Sequence, residues 1–176
     1  FRRVLFRSRA TGNWPEVAES IELLQGGSPD DLKEVTFELA AEMLKAGGAV
    51  ESVHEGRERA QEAVRSGAAM DRFRHMVQAQ GGSLEMVDNP DTRMASACAA
   101  DVCAPSNAAG YVARIDARDV GRAMVELGAG RKRKEDAVDP LAGCILMKRH
   151  GDPVSPGDVL ARVDRKSTRL NSSHQI

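Results

Sequence analysis

Two hydrophobic periodicities divide the chain. From Asn13 to about Gln80, apolar residues recur every three or four positions, the spacing that gathers side chains on one face of an α-helix. Val17, Ile21 and Leu24 share one such face, and Asn13, Pro15 and Glu16 supply a cap, a first-turn proline and a carboxylate able to reach back to the Asn13 amide. Gly26-Gly27 ends this helix. Ser28, Pro29 and Asp31 predict the start of a second, with Leu32, Val35, Leu39 and Met43 on its buried face and Gly47-Gly48 at its stop. Ser52-Val53-His54-Glu55 has the spacing of a capping box and opens a third helix through Ala60 and Val64, halted near Gly67. Met70, Phe73, Met76 and Val77 mark a fourth, closed by Gly81-Gly82.

After Asn89-Pro90 the pattern shortens. Runs of β-type residues at 100–104, 110–115, 143–147 and 159–163 are separated by proline and glycine turns and predict strands. One helix interrupts them, from Ala117 to Leu127, with Asp116 as its cap, Val120, Met124 and Leu127 inward, and Gly128 at its C-terminal stop. The fold class is therefore α+β, with a helical segment over residues 9–90, a linker at 91–97 and a mixed domain over 98–163. Val102, Tyr111, Ile115, Val120, Met124, Leu127, Ile145, Val154 and Leu160 are the expected core of the second domain.

Composition narrows the function classes. The chain is 41% hydrophobic but only 3% aromatic, so its core must be built from Ala, Val, Leu and Met. The formal charge of −1 hides an asymmetry: the first eight residues carry +3 and the last thirteen +2, which leaves −6 on the body. An acidic body poor in stacking aromatics argues against nucleic-acid binding. The one basic cluster, Arg131 to Lys134, is answered at once by Glu135 and Asp136 and reads as a solvated loop. Cys98, Cys103 and Cys144 are odd in number and lack metal-ligand spacing, which fits small packed thiols in a reducing cytoplasm better than a disulfide framework or a zinc site. His54, His75, His150 and His174 show no spacing for a triad or a metal, and no apolar run is long enough to span a bilayer.

Three blocks carry a resemblance. The first is Thr11-Gly12-Asn13-Trp14-Pro15-Glu16-Val17 with Gly26-Gly27-Ser28-Pro29-Asp30-Asp31-Leu32, and the second is Met76-Val77 with Ala79-Gln80-Gly81-Gly82. The third is Leu127-Gly128-Ala129-Gly130-Arg131, continued by Lys134-Glu135-Asp136 and Val138-Asp139-Pro140 and closed by Gly151-Asp152-Pro153-Val154-Ser155-Pro156-Gly157-Asp158-Val159-Leu160. In this order they resemble the C-terminal part of the pyrimidine-nucleoside and thymidine phosphorylases. The resemblance implies the helical tail of an α/β phosphorylase domain followed by a small, barrel-sandwich-like α+β domain. It also implies reversible phosphorolysis of pyrimidine nucleosides in salvage, with inorganic phosphate as co-substrate, no cofactor for the chemistry, and a homodimeric parent.

In that family the phosphate loop and the base-holding residues precede the Gly-Asn block, so the resemblance assigns no catalytic or substrate-binding residue to this chain and implies that the chain alone is inactive. It also implies a structural cation, K⁺ or Ca²⁺, held by the carbonyls of Met43 and Ala46 and the carboxylate of Glu55. The capping box beginning at Ser52 accounts for Glu55 without a metal or upstream ligands and is the preferred reading. Other readings are a nucleoside monophosphate phosphorylase or, because the 151–160 turn resembles biotinyl and lipoyl domains, a carrier or scaffold with Lys148 as the modified residue. The ends read differently. Back-translation of residues 1–8 and 164–176 yields one inverted repeat, the signature expected of a translated sequencing adapter.

Overall fold

A computed structural model describes residues 8–90 and 99–164. The adapter-like ends, apart from Ser8 and Asp164, the expected linker at 91–97, Cys98 and His174 lie outside the described residues. The chain divides into two compact units, and the division does not follow the chain in simple order: residues 10–15 cluster with the C-terminal unit.

The helical unit holds α1 (Asn13–Leu24) from Glu16 onward, α2 (Asp30–Ala46), α3 (Val53–Arg65), α4 (Ala68–Ala79) and α5 (Leu84–Asp88). Glycine punctuates it as expected, since Gly67 (φ 82°) and Gly81 (φ 76°) adopt the left-handed backbone that ends or separates helices. Helices α2 and α3 meet closely: a Cβ on Gly56 would lie 2.8 Å from the Ala41 carbonyl oxygen and 2.9 Å from its Cα. Arg57 reinforces the contact through a 2.7 Å ion pair with Glu38. Two expectations fail here. Ser28 does not cap α2; it sits at φ 80°, its amide donating to the Glu22 carboxylate at 3.0 Å, while the N-cap is Pro29 with no side-chain bond. The expected buried face of α2 is also open, with Leu39 61% and Met43 74% exposed and only Ala41 fully buried.

Among the described residues, the C-terminal unit holds a four-stranded antiparallel sheet, a two-stranded ribbon and one helix. Its strands are β1 (Ala10–Gly12), β2 (Ala100–Cys103), β3 (Gly110–Tyr111), β4 (Gly143–Leu146), β5 (Pro153–Val154) and β6 (Val159–Asp164), and its helix is α6 (Ala117–Leu127). The sheet runs β1-β4-β6-β2 and the ribbon is β3-β5. Both are open among the described residues, with no barrel closure, in keeping with the expected α+β class. Strand β6 pairs with β4 on one side and β2 on the other, where Asp101 opposes Arg162 and the two side chains form a doubly hydrogen-bonded pair at 2.8 and 3.3 Å.

The ends of α6 follow the sequence closely. The Asp116 carboxylate accepts from the Arg118 and Asp119 amides, and Gly128 closes the helix at φ 100°. The core is smaller than the sequence suggested. Ala10, Ala104, Met124, Ala142, Cys144 and Leu146 are buried, whereas Tyr111 (75% exposed) and Val102 (45%) face outward. In β4 the alternation places Cys144 and Leu146 inward and leaves Ile145 half-buried, because neighbours on a strand point to opposite faces. Tyr111 lies on a ribbon two residues long, too short to fold its ring over a sheet.

Candidate functional site

Strand β1 binds the edge of β4 in a register that pairs Gly12 with Gly143. Both glycines are required by the approach of the two backbones. A Cβ on Gly12, at φ 125°, would stand 2.6 Å from the Ala142 carbonyl oxygen, and one on Gly143 would stand 2.6 Å from the Thr11 oxygen and 2.7 Å from Pro15 Cγ. The next residue then reaches the loop after α6: Asn13 Nδ2 donates to the Ala129 carbonyl at 2.9 Å and sits 3.5 Å from that of Asp139. The Trp14 amide donates to the Pro140 carbonyl at 2.8 Å.

The loop itself is closed by its acids. The Asp139 amide donates to the Gly128 carbonyl at 2.9 Å and its carboxylate accepts from the Leu141 amide at 2.9 Å, while Asp136 accepts from the amides of Lys132 and Arg133 at 3.0 and 2.9 Å. Asp136 therefore shapes the basic run as well as balancing its charge, and Lys132 pairs with Glu126. Two of the sequence blocks, Gly12-Asn13-Trp14 and Leu127 to Pro140, thus form one structural site. Spacing along the chain gave no signal for this, because the partners are 116 residues apart.

The residues expected to hold a cation lie where α2 ends and α3 begins. The Met43 carbonyl accepts from the Gly47 amide at 2.9 Å in the C-cap of α2, of which Ala46 is the last residue. Ser52 Oγ accepts from the Glu55 amide at 3.1 Å, and Glu55 Oε2 accepts from the Glu51 amide at 3.1 Å. The expected capping box has formed, displaced by one residue on its return bond, which runs to Glu51 instead of Ser52. The donor set is chemically suited to a hard cation, being all oxygen. Among the described residues, no three His, Cys, Asp or Glu side chains gather as a metal site.

Lys148 is not displayed as a carrier lysine would be. Its side chain is three-quarters buried, and its ammonium bonds both Asp158 and the Pro153 carbonyl, each at 2.8 Å. The Lys148 ammonium and the Ser155 amide hold the Asp158 carboxyl below its ordinary value. Cys144 is buried beside Thr11, and burial pushes its thiol upward, away from the thiolate a nucleophile needs. No helix among the described residues is long and apolar enough to cross a membrane.

Residues 111–173 match the family profile described as "Pyrimidine nucleoside phosphorylase C-terminal domain". The chain is 42% identical over 153 residues to a thymidine phosphorylase of Burkholderia cenocepacia, covering 86% of this chain and 35% of that protein. It is 36% identical over 151 residues to a pyrimidine-nucleoside phosphorylase of Bacillus subtilis (86% and 34%) and 36% identical over 155 to one of Staphylococcus aureus (88% and 35%). The chain spans about a third of the length of these relatives, and over that stretch it is similar to thymidine and pyrimidine-nucleoside phosphorylases.

Proposed function

We propose that this chain is the C-terminal part of a pentosyltransferase that carries out reversible phosphorolysis of pyrimidine nucleosides or deoxynucleosides, yielding the free base and pentose 1-phosphate in nucleoside salvage. Identity of 36–42% across 86% or more of the chain carries the reading. In this reaction a phosphate oxygen attacks the anomeric carbon, the glycosidic bond breaks, and the bond's electron pair leaves with the base. Phosphate and developing base anion both need fixed donors. The reading places those donors in the other two thirds of the polypeptide and gives this stretch the task of buttressing them, as a homodimeric cytoplasmic enzyme. The test uses a polypeptide of the relatives' full length with thymidine or uridine and inorganic phosphate. A phosphorus resonance of pentose 1-phosphate should grow in step with free base; hydrolysis to free sugar, with phosphate unconsumed, refutes the proposal.

For Glu55 we propose the helix-start role rather than cation binding. Both of its observed bonds serve the entry to α3, and neither needs a metal.

A further inference from the structure

Residues 10–15 are an insertion of the helical stretch into the C-terminal unit: Arg9 before them and Glu16 after them belong to the other unit. The strand and its junction are tied to β4 and to the loop after α6. Ala10 to Gly12 pair with Ile145 to Gly143, Asn13 bonds Ala129 and Asp139, and Trp14 bonds Pro140. Without the strand, the outer side of β4 would be a row of unpaired backbone groups, a template for any strand that fits. What fits is specific. The Gly12 and Gly143 backbones approach too closely for a side chain on either, and the loop carbonyls of Ala129 and Asp139 require a side-chain donor one residue later.

We propose that the β4 edge with its 128–140 loop accepts the Ala10–Pro15 strand of a second copy through the same bonds as its own, giving a strand-exchanged dimer when concentrated chains refold. Exchange keeps the pairing of β1 with β4 and the Asn13 and Trp14 bonds, so the entropy of association is the main term opposing it, and concentration offsets that. The tethered strand competes at an effective concentration of roughly millimolar order, so the dimer forms on refolding at high concentration and stays rare on dilution. This proposal does not depend on phosphorolysis.

The register supplies a reporter. Thr11 is the cross-strand partner of Cys144, and its hydroxyl contacts that thiol. In the full 176-residue chain, Thr11→Cys with Cys98→Ser and Cys103→Ser leaves one thiol pair within disulfide reach. The chain is unfolded, refolded at high and at low concentration, oxidised, and run on a non-reducing gel after size-exclusion chromatography. The expected result is an interchain disulfide in a dimer from the concentrated sample and an intrachain disulfide in a monomer from the dilute one. Monomer alone at both concentrations, a dimer whose disulfides are intrachain, or no disulfide at either concentration each overturns the proposal. Gly12→Val in the same background should abolish both disulfides, and their persistence also counts against it.

Discussion

Asn13 Nδ2 lies 2.9 Å from the Ala129 carbonyl oxygen, joining the start of α1 to the loop that follows α6. The bond binds two blocks that the sequence shows only as separate runs, and it gives the asparagine a role that the expected helix cap did not include. Asn13→Ala removes the donor and leaves two carbonyls to find water. A loss of about 0.5 to 1.5 kcal/mol is expected, the usual worth of a part-exposed hydrogen bond, read as a shift of the urea midpoint at constant slope. Asn13→Asp should cost more, because a carboxylate would face those carbonyls; equal midpoints for the two variants would contradict this assignment.

Gly12 and Gly143 should tolerate no side chain. Gly12→Val meets the Ala142 oxygen and a left-handed backbone together, and a loss of at least about 2 kcal/mol is expected from overpacking and strain. A denaturation curve within experimental error of the parent would show that β1 does not lie on β4 as described.

At the start of α3, Ser52→Ala should cost about 0.5 to 2 kcal/mol, as loss of an N-cap does. Glu55→Gln keeps an acceptor for the Glu51 amide and should cost less. A melting temperature that climbs with K⁺ or Ca²⁺ in the parent, and no longer climbs in Glu55→Gln, would show that the carboxylate holds a cation together with Met43 and Ala46.

Acid should loosen the C-terminal unit through its surface carboxylates. Asp158 is lowered by Lys148, Asp101 by Arg162 and Asp116 by Arg114. A carboxyl lowered in the folded state binds fewer protons there than when unfolded, so its stabilisation is present above the unfolded value near 3.8 and is lost as pH falls through the folded one. Stability should therefore decline below about pH 4, and the decline should be shallower in Asp158→Asn. An unchanged acid limb in that variant would remove the Lys148 pair from the account. Added salt should shrink the difference, since these groups face water.

Ser28 is the one non-glycine residue with positive φ among those described, and its buried hydroxyl has no hydrogen-bond partner. Ser28→Gly relieves both defects at the cost of some unfolded-chain entropy, and a gain of about 1 kcal/mol is expected. Destabilisation would mean that the hydroxyl has a partner that the geometry does not reveal.

Local signals in the sequence were legible. Asp116 and Gly128 delimit α6, and Ser52 and Glu55 open α3, because caps are decided within four residues. Long-range ones were not. Strand β1 is three residues long and follows no alternation, so nothing in Ala10-Thr11-Gly12 announces a partner at Gly143 to Ile145. The Gly26-Gly27 turn likewise misled the reading of Ser28, whose amide is claimed by Glu22 six residues earlier. Tyr111 and Val102 were placed in the core on hydrophobicity alone, whereas small residues, Ala104, Ala142 and Cys144, fill it.

The central claim, that this stretch belongs to an enzyme cleaving pyrimidine nucleosides with phosphate, is tested most directly by ultraviolet assay of base release at two chain lengths. A polypeptide of the relatives' full length should release thymine or uracil only when phosphate is added, and the 176-residue chain alone should release none. Release by the short chain, or none by a folded full-length protein with either nucleoside, would contradict the account.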